Sequence, residues 1–178
     1  MTDELRGQAT FNVCTVAPAP ATVRAKNGLK VLPDYTLEHC PAPHVLVIPG
    51  GAGSRALLRQ PSLLEWVRTR AARAEVVLSV CTGARVLGAT GLLDGLNVTT
   101  HHENLAELAE LAPRARIDPT RRFHDNPPAA GRGHIVTAAG ISAGIDAALH
   151  VVSLLLGDEQ AEATARYMEY RRQTESTP

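Results

Sequence analysis

Aromatic side chains are scarce, with two Phe, three Tyr and one Trp among 178 residues. So few rings argue against the stacking platforms of proteins that bind single-stranded nucleic acid. The chain also lacks net charge, because 18 Lys and Arg balance 18 Asp and Glu. A neutral chain has no electrostatic attraction to polyanions, so we expect neither nucleic acid nor an anionic membrane as a partner.

Cysteine is also scarce, and Cys14, Cys40 and Cys81 are widely and unequally spaced. An odd count without a C-x-x-C pair fits neither a disulfide framework nor a zinc site. The N-terminal sequence MTDELRG is charged and lacks the apolar run of a signal peptide. We therefore expect a cytoplasmic protein with reduced thiols and no bound metal.

Long uninterrupted apolar runs are absent as well. The most apolar stretch, residues 138–156, contains Asp146 and His150, so it predicts a buried helix rather than a membrane span. The length and the 44% apolar content suit a single domain over residues 1–178.

Short apolar runs alternate with helical patterns along the chain. Strands are predicted at 10–17, 44–48, 75–80, 97–100, 114–117 and 134–137, with a hairpin of 22–24 and 30–32 about Asn27-Gly28. Helices are predicted at 54–60, 61–73, 82–90, 103–111, 141–156 and 159–172, and loops at 18–20 and 125–133. This alternation predicts an α/β fold with a mainly parallel sheet, whose site lies beyond the carboxyl ends of its strands.

The strongest local feature is the sequence VVLSVCTGA, in which a buried strand runs directly into a helix. Cys81 stands at the junction, and the small residues Thr82, Gly83 and Ala84 permit the sharp turn of a nucleophile elbow. The N-terminus of the following helix favours a thiolate, and the Thr82 N–H would serve as an oxyanion donor. The ordinary alternative is a small buried hydrophobic residue, an explanation that we expect to hold for the other two cysteines.

The sequence PGGAG at residues 49–53 follows another predicted strand. Gly50 and Gly51 let the backbone approach a ligand closely, and their N–H groups predict the other half of the oxyanion hole beside Cys81. A plain turn at the end of a strand explains the same residues.

Two adjacent histidines in the sequence TTHHE, residues 99–103, follow a third strand. His101 at this edge can orient or deprotonate a thiol, whereas exposure or local capping is the ordinary explanation for it and for His102. Adjacent histidines do not face the same way, so a zinc pair is not expected. For Asp146, a structural hydrogen-bond hub is favoured over a catalytic base.

Four motifs taken in order resemble the ThiJ/PfpI superfamily, the class I glutamine-amidotransferase-like group, over about residues 10–172. They are VIPGG at 47–51, SVCTGA at 79–84, TTHH at 99–102 and AAGISAGID at 138–146. The resemblance implies a flavodoxin-like three-layer sandwich with a mainly parallel sheet. It also implies a homodimer, because relatives usually pair, and a small-molecule substrate or ligand without a metal or organic cofactor.

By this resemblance Cys81 is the nucleophile and His101 lies near it. The residues that the resemblance places around the substrate and oxyanion pocket are Gly50, Gly51, Thr82 and Gly83. CTGA, GLLDG at 91–95 and GISAGID look most like isonitrile hydratases and the ligand-sensing domains of AraC-type regulators. A cysteine-dependent hydratase or hydrolase, hydrating isonitriles to N-substituted formamides, is one expectation; a small-molecule or redox sensor, or an inactive member, is the other.

The sequence departs from the superfamily at its start, where members carry a buried strand and a helix that bears an acid near the thiol. Asp3 and Glu4 are the acids nearby, and neither lies in a matching motif. A wrongly assigned start codon, a deletion and a partner chain that replaces these elements remain open as explanations. Without the acid we expect hydration to be weak or absent, and without the strand we expect either an unpaired edge beside residues 44–48 or a sheet that closes up.

Overall fold

A four-stranded sheet forms the centre of the molecule, and the computed structural model describes residues 10–129 and 131–174 of the chain. The strands of this sheet lie in the order β5 (Val45–Ile48), β6 (Val76–Val80), β10 (His134–Ala138) and β9 (Phe123–Asn126). The first three run parallel, and β9 is antiparallel to β10. The predicted α/β fold with a mainly parallel sheet is confirmed.

Six shorter strands pair outside this sheet: β1 (Val16–Ala17), β2 (Val23–Arg24), β3 (Lys30–Val31), β4 (Tyr35–Thr36), β7 (Asn97–Val98) and β8 (Arg116–Ile117). The pairs β1–β4 and β7–β8 are parallel, and β2–β3 is the predicted hairpin, with Gly28 at φ +90° in its turn.

The helices are α1 (Ser54–Leu57), α2 (Pro61–Ala71), α3 (Ala84–Ala89), α4 (Leu105–Leu111), α5 (Ala143–Leu156) and α6 (Asp158–Tyr167). Short 3₁₀ turns at Cys81–Gly83 and His102–Asn104 precede α3 and α4. Pro61 begins α2, where the missing N–H of proline costs no helical hydrogen bond.

Apolar layers cover both faces of the sheet. On one face, Leu46, Val77 and Ile135 pack with Leu63 of α2 and Leu87 of α3 in the larger core cluster. A second cluster on the other face joins Val76, Leu78, Phe123 and Val136 to Ala147 and Val151 of α5. The result is three layers, helices on each side of a sheet, as in a flavodoxin-like sandwich.

Two predicted boundaries and one predicted burial differ clearly from the structure. The strand expected at 10–17 is limited to Val16–Ala17, because it pairs only with β4 in the described part of the chain. Cys14 therefore lies outside a strand and is exposed, contrary to the expectation of a buried residue, whereas Cys40 is buried. The loop expected at 125–133 begins two residues late, since Asp125 and Asn126 belong to β9.

Strand β5 has an open edge. Among the described residues it pairs with β6 and with no second strand, and the Val47 side chain within it is 49% exposed. This is the unpaired edge expected beside residues 44–48. Asp3 and Glu4 lie outside the described residues. No helix in the described ranges is long and apolar enough to cross a bilayer.

Candidate active site

The carboxyl end of β6 is the elbow expected from the sequence. Cys81 follows the strand directly, begins the 3₁₀ turn and has a φ of +55°, a left-handed conformation that is uncommon for any residue with a Cβ. Hydrogen bonds fix both sides of its backbone. The Cys81 N–H donates to the Ala139 carbonyl (3.1 Å), and the Cys81 carbonyl accepts from the Thr100 hydroxyl (2.8 Å). The residue is intermediate between buried and exposed.

Two glycines allow the elbow to pack against the end of β5. A Cβ on Gly50 would lie 2.8 Å from the Cβ of Cys81 and 2.8 Å from the Val80 carbonyl. On Gly83 it would lie 2.2 Å from the Ile48 carbonyl oxygen. Both contacts are shorter than van der Waals packing permits, so the two positions require glycine. The loop after β5 therefore touches the backbone on either side of Cys81.

Two hydrogen bonds join Thr82 to Gly51. The Gly51 N–H donates to the Thr82 hydroxyl (2.8 Å), and that hydroxyl lies 3.2 Å from the Gly51 carbonyl, to which it donates. In this structure the Gly51 N–H therefore has the Thr82 hydroxyl as its acceptor, and a role of Gly51 in an oxyanion hole stays a prediction. The Thr82 N–H remains the candidate donor, since the first N–H groups of a helical turn have no partner within it.

His101 lies at the same edge of the sheet. Its ring packs on Gly140, where a Cβ would come within 2.5 Å of His101 Cδ2, and Gly140 follows Ala139, which binds the Cys81 N–H. The Glu103 N–H donates to His101 Nδ1 at 3.4 Å. In a neutral ring that accepts this bond at Nδ1, the hydrogen is assigned to Nε2. His101 thus caps the turn locally and also borders the elbow, while His102 is exposed.

A buried ionic cluster under the site was not identified from the sequence. Arg85 of α3 donates from Nε to Glu107 (2.7 Å), from one terminal nitrogen to the Ser54 hydroxyl (3.0 Å) and from the other to Asn104. Hydrogen bonds from Arg55 and from Arg85 hold the pKa of Glu107 below its usual value. These residues are far apart in sequence and share no periodic pattern, so no signal in the sequence indicated the cluster.

The cluster is linked to the elbow through hydrogen bonds. Ser54, which accepts from Arg85, donates its own hydroxyl hydrogen to the Gly51 carbonyl (2.8 Å). Gly51 in turn pairs with Thr82, next to Cys81. The Gly51 loop is thus held from two sides, which fixes the wall of the site facing the thiol.

Asp146 is the structural hub expected from the sequence. It is fully buried and accepts from Arg122 Nε (2.8 Å), the Tyr170 hydroxyl (3.1 Å) and the Gln173 N–H (2.8 Å). Burial, followed by the hydrogen bond to Asp146, raises the pKa of Tyr170. The carboxylate joins α5 to the segments before β9 and after α6.

Two other histidines, His134 and His150, lie at the opposite end of the sheet from Cys81 and contact Asp125. Asp125 contacts His134 Nδ1 at 2.8 Å and His150 Nε2 at 3.0 Å. Within the ranges that the structure describes, no group of three or more His, Cys, Asp or Glu side chains is arranged to hold a metal ion.

Known proteins similar to this chain include an enzyme and a transcriptional regulator. An isonitrile hydratase of Pseudomonas putida is 38% identical over 151 residues, which span 83% of this chain and 61% of the hydratase. The HTH-type transcriptional regulator GbdR of Pseudomonas aeruginosa is 29% identical over 97% of this chain and 45% of the regulator. The chain thus spans about half to three-fifths of the length of these two relatives.

Solved structures give the same pair of similarities. A ThiJ/PfpI family protein from Pseudomonas syringae superposes with a TM-score of 0.79 at 32% identity, covering 92% of this chain and 64% of that one. An AraC family transcriptional regulator from Pseudomonas putida superposes with a TM-score of 0.74 at 25% identity, covering 93% and 85%. The profile of the DJ-1/PfpI family matches residues 1–154, and with the elbow, the sheet and these relatives it shows that the chain belongs to the DJ-1/PfpI family.

Proposed function

We propose that the chain is a cysteine-dependent hydratase or hydrolase in which Cys81 is the nucleophile, and that isonitriles are its substrate class. The observation that carries the proposal is the φ of +55° at Cys81, between a buried strand and a helical turn. Backbone strain of this kind persists where the surrounding structure enforces it, and it concentrates at functional sites. The 38% identity to an isonitrile hydratase supports the substrate class.

In an isonitrile the terminal carbon is electrophilic, and the proposed reaction takes place at that carbon. The Cys81 thiolate adds to the isonitrile carbon, and a proton delivered to that carbon gives an enzyme-bound thioimidate. Water then adds to the same carbon, the carbon–sulfur bond breaks, and the thiolate leaves as the N-substituted formamide forms. The sum is one isonitrile and one water giving one formamide, with Cys81 regenerated and no change in oxidation state.

Proton transfer is the step for which we assign His101. The ring borders Gly140, next to the residue that binds the Cys81 N–H, and its Nε2 hydrogen is available because Nδ1 accepts from Glu103. The Thr82 N–H is the backbone donor assigned to developing negative charge. A positioned acid–base group contributes about 10²–10⁴-fold to such steps, which sets the size of the effect expected from removing His101.

The test is formamide formation from an aryl isonitrile, with Cys81→Ser and His101→Gln as variants. We expect turnover by the natural chain, none by Cys81→Ser, and a loss of about 10²-fold or more in His101→Gln if the histidine transfers the proton. His102→Gln is the matched control, because His102 is exposed, and it should retain the natural rate. Turnover that survives in Cys81→Ser would overturn the proposal.

A second candidate function is a small-molecule or redox sensor that uses the same cysteine. The observation that favours it is the similarity to transcriptional regulators, which extends over 97% of this chain in one case and 93% in another. Under this function Cys81 takes up one or two oxygen atoms from a peroxide without turning over an isonitrile. Mass increments of oxygen on the tryptic peptide 74–85, together with absent formamide, would select the sensor. A cytoplasmic homodimer without a metal or organic cofactor is part of either proposal.

A further inference from the structure

We propose that Arg85 is a positioning residue that holds two walls of the candidate active site at a fixed separation, and that this separation limits the size of the reagent that reaches Cys81. One wall is the Gly51 loop, residues 49–53, and the other is the His101 turn, residues 100–104. This role rests on the proposed function, since it concerns the site that would carry out the hydration.

The guanidinium of Arg85 reaches three separate elements from a buried position. Arg85 lies on α3, and its side chain is 5% exposed. Its Nε donates to Glu107 of α4 (2.7 Å), one terminal nitrogen donates to Ser54 at the start of α1 (3.0 Å), and the other donates to Asn104 in the turn before α4. Because a guanidinium is planar and rigid, its bonds fix the directions of their acceptors, which the flexible ammonium of a lysine does not.

The first branch leads from Arg85 to the Gly51 loop. Ser54 is 4% exposed, accepts from Arg85 and donates its own hydroxyl hydrogen to the Gly51 carbonyl (2.8 Å). The same loop touches Cys81 directly, since a Cβ on Gly50 would lie 2.8 Å from the Cβ of Cys81. The position of Ser54 therefore sets how closely the loop approaches the cysteine.

The second branch leads from Arg85 to the His101 turn. The Asn104 side chain accepts from Arg85, and the Asn104 N–H donates to the His101 carbonyl (2.8 Å), which closes the turn. Thr100, directly before His101, donates its hydroxyl to the Cys81 carbonyl (2.8 Å). Arg85 is thus joined through one residue to each wall, and each wall contacts Cys81 or its backbone.

Glu107 fixes the guanidinium in turn. Hydrogen bonds from Arg55 and Arg85 keep the pKa of Glu107 below its usual value, so the carboxylate is ionised at neutral pH and balances the buried cation. Arg55 binds the same carboxylate at 2.9 Å and is 67% exposed. In the part of the chain that the structure describes, its bonds go to Glu107 and not to either branch, which makes Arg55 the matched control.

A fixed separation between the walls selects reagents by their width. The reacting carbon of an isonitrile ends a linear carbon–nitrogen–carbon group, so it can reach a thiol through a narrow opening. A planar ring beside the reacting atom needs the walls to part. With lysine at position 85, at least one of the two branches loses its hydrogen bond, and we expect the walls to part more readily.

Alkylation of Cys81 measures this separation without any isonitrile. The full-length natural chain and the variants Arg85→Lys, Ser54→Ala and Asn104→Ala are treated with iodoacetamide, which is narrow, or N-phenylmaleimide, which is wide. The tryptic peptide 74–85, which Arg85→Lys preserves, reports the rate by its mass. Relative to the natural chain, we expect the ratio of wide to narrow reagent rates to rise about fivefold in Arg85→Lys, the usual effect of one lost hydrogen bond on local opening. Each of the other two variants should raise it as well.

Two further readouts separate positioning from a general loss of stability. If Arg85 acts through Ser54, adding Ser54→Ala to Arg85→Lys should change the ratio by less than Ser54→Ala does in the natural chain. The ring-proton NMR signal of His101, assigned with His101→Gln, should move in Arg85→Lys and Asn104→Ala but stay in place in Ser54→Ala. Arg55→Lys should leave both the ratio and the signal at their natural values.

An unchanged ratio in Arg85→Lys, with circular dichroism verifying its fold, would overturn the positioning role. So would an equal change in Arg55→Lys, or full additivity of Arg85→Lys with Ser54→Ala. Absence of formamide from the natural chain would instead contradict the proposed function and leave the role of Arg85 standing, because the alkylation ratio requires no turnover.

Discussion

Cys81 adopts a left-handed backbone conformation that a residue with a Cβ does not favour. A left-handed φ costs a residue with a Cβ about 1–2 kcal/mol, and glycine avoids that cost. We therefore expect Cys81→Gly to exceed Cys81→Ala in its free energy of unfolding by about 1 kcal/mol. Urea denaturation of the two variants measures the difference.

The neighbouring Ala84 provides the matched control. It lies at the start of α3 with a right-handed φ of −57°, where alanine is the better residue. Ala84→Gly should lower the free energy of unfolding, the opposite sign from the same chemical change at position 81. If Cys81→Gly proves less stable than Cys81→Ala, the left-handed conformation does not store strain there.

Gly50 lets the loop after β5 pack against the elbow because it has no side chain. We expect Gly50→Ala to destabilise the protein by about 1–3 kcal/mol, the usual cost of overpacking. It should also slow alkylation of Cys81 by iodoacetamide, read from the mass of the peptide 74–85, because the added methyl would displace the thiol. In the natural chain Cys81 should alkylate before Cys14, and buried Cys40 last.

Gly53 lies three residues further along the same loop and tests whether the effect belongs to the elbow. Its φ is −61°, and a Cβ there would meet nothing within 4 Å. Gly53→Ala should leave both the stability and the alkylation rate close to their natural values. Equal effects of the two substitutions would show that general loop stiffness, not contact with Cys81, governs the site.

At the scale of elements, Arg85 joins three helices that surround the site. Its side chain is 5% exposed and bonded to α1, α4 and the turn before α4. Arg85→Met leaves polar partners without their cation, so we expect a loss of about 2–4 kcal/mol in urea unfolding, somewhat below the cost of breaking a fully buried pair. Arg55, 67% exposed on the same Glu107, is the control, since exposed ion pairs contribute about 1 kcal/mol or less. Equal losses would contradict this assignment.

A second polar cluster connects β9, β10 and α5 through Asp125. Burial opposes its ionisation, but hydrogen bonds from His150 and His134 outweigh burial and hold the pKa of Asp125 below its usual value of 3.8. A depressed pKa contributes stability above that value and loses it as pH falls through the folded pKa. Asp125→Asn should therefore reduce stability at neutral pH and flatten the acid-induced loss below about pH 4. Urea titrations across pH measure both, and unchanged acid sensitivity would contradict the assignment.

Elements that are determined by residues adjacent in sequence could be predicted, whereas elements that depend on distant contacts could not. The elbow was recognisable because a buried strand, a cysteine and small residues follow one another directly. Strand β9, with the sequence FHDN, was missed because it contains no β-branched residue and is held by its pairing with β10. The Arg85 cluster was missed for the same physical reason, since Arg85 and Glu107 meet only after α3 and α4 pack. The engagement of the Gly51 N–H likewise depends on a hydroxyl 31 residues away.

At the scale of the whole molecule, strand β5 lies at an edge of the central sheet, where its one strand partner among the described residues is β6. An edge strand exposes unpaired N–H and C=O groups that readily accept another strand. Leu46 and Ile48 of β5 are buried, but Val47 between them is 49% exposed. Alternation places Val47 on the same face as Val45, which packs in the cluster with α5. Ile145 and Leu154 of that helix are also partly exposed, at 36% and 37%.

We expect the proposed homodimer to form by burying the β5 edge against a second copy of the chain. Light scattering at micromolar concentrations should then give twice the mass of one chain. Val47→Lys places a charge at the centre of the contact, so the dissociation constant of the dimer should rise by about tenfold or more. Leu29→Lys, on the β2–β3 hairpin and 68% exposed, adds the same charge away from β5 and should leave the dimer intact. A monomer throughout the micromolar range would reject the dimer, whereas a dimer that tolerates Val47→Lys would place the interface elsewhere and leave β5 to be covered in another way.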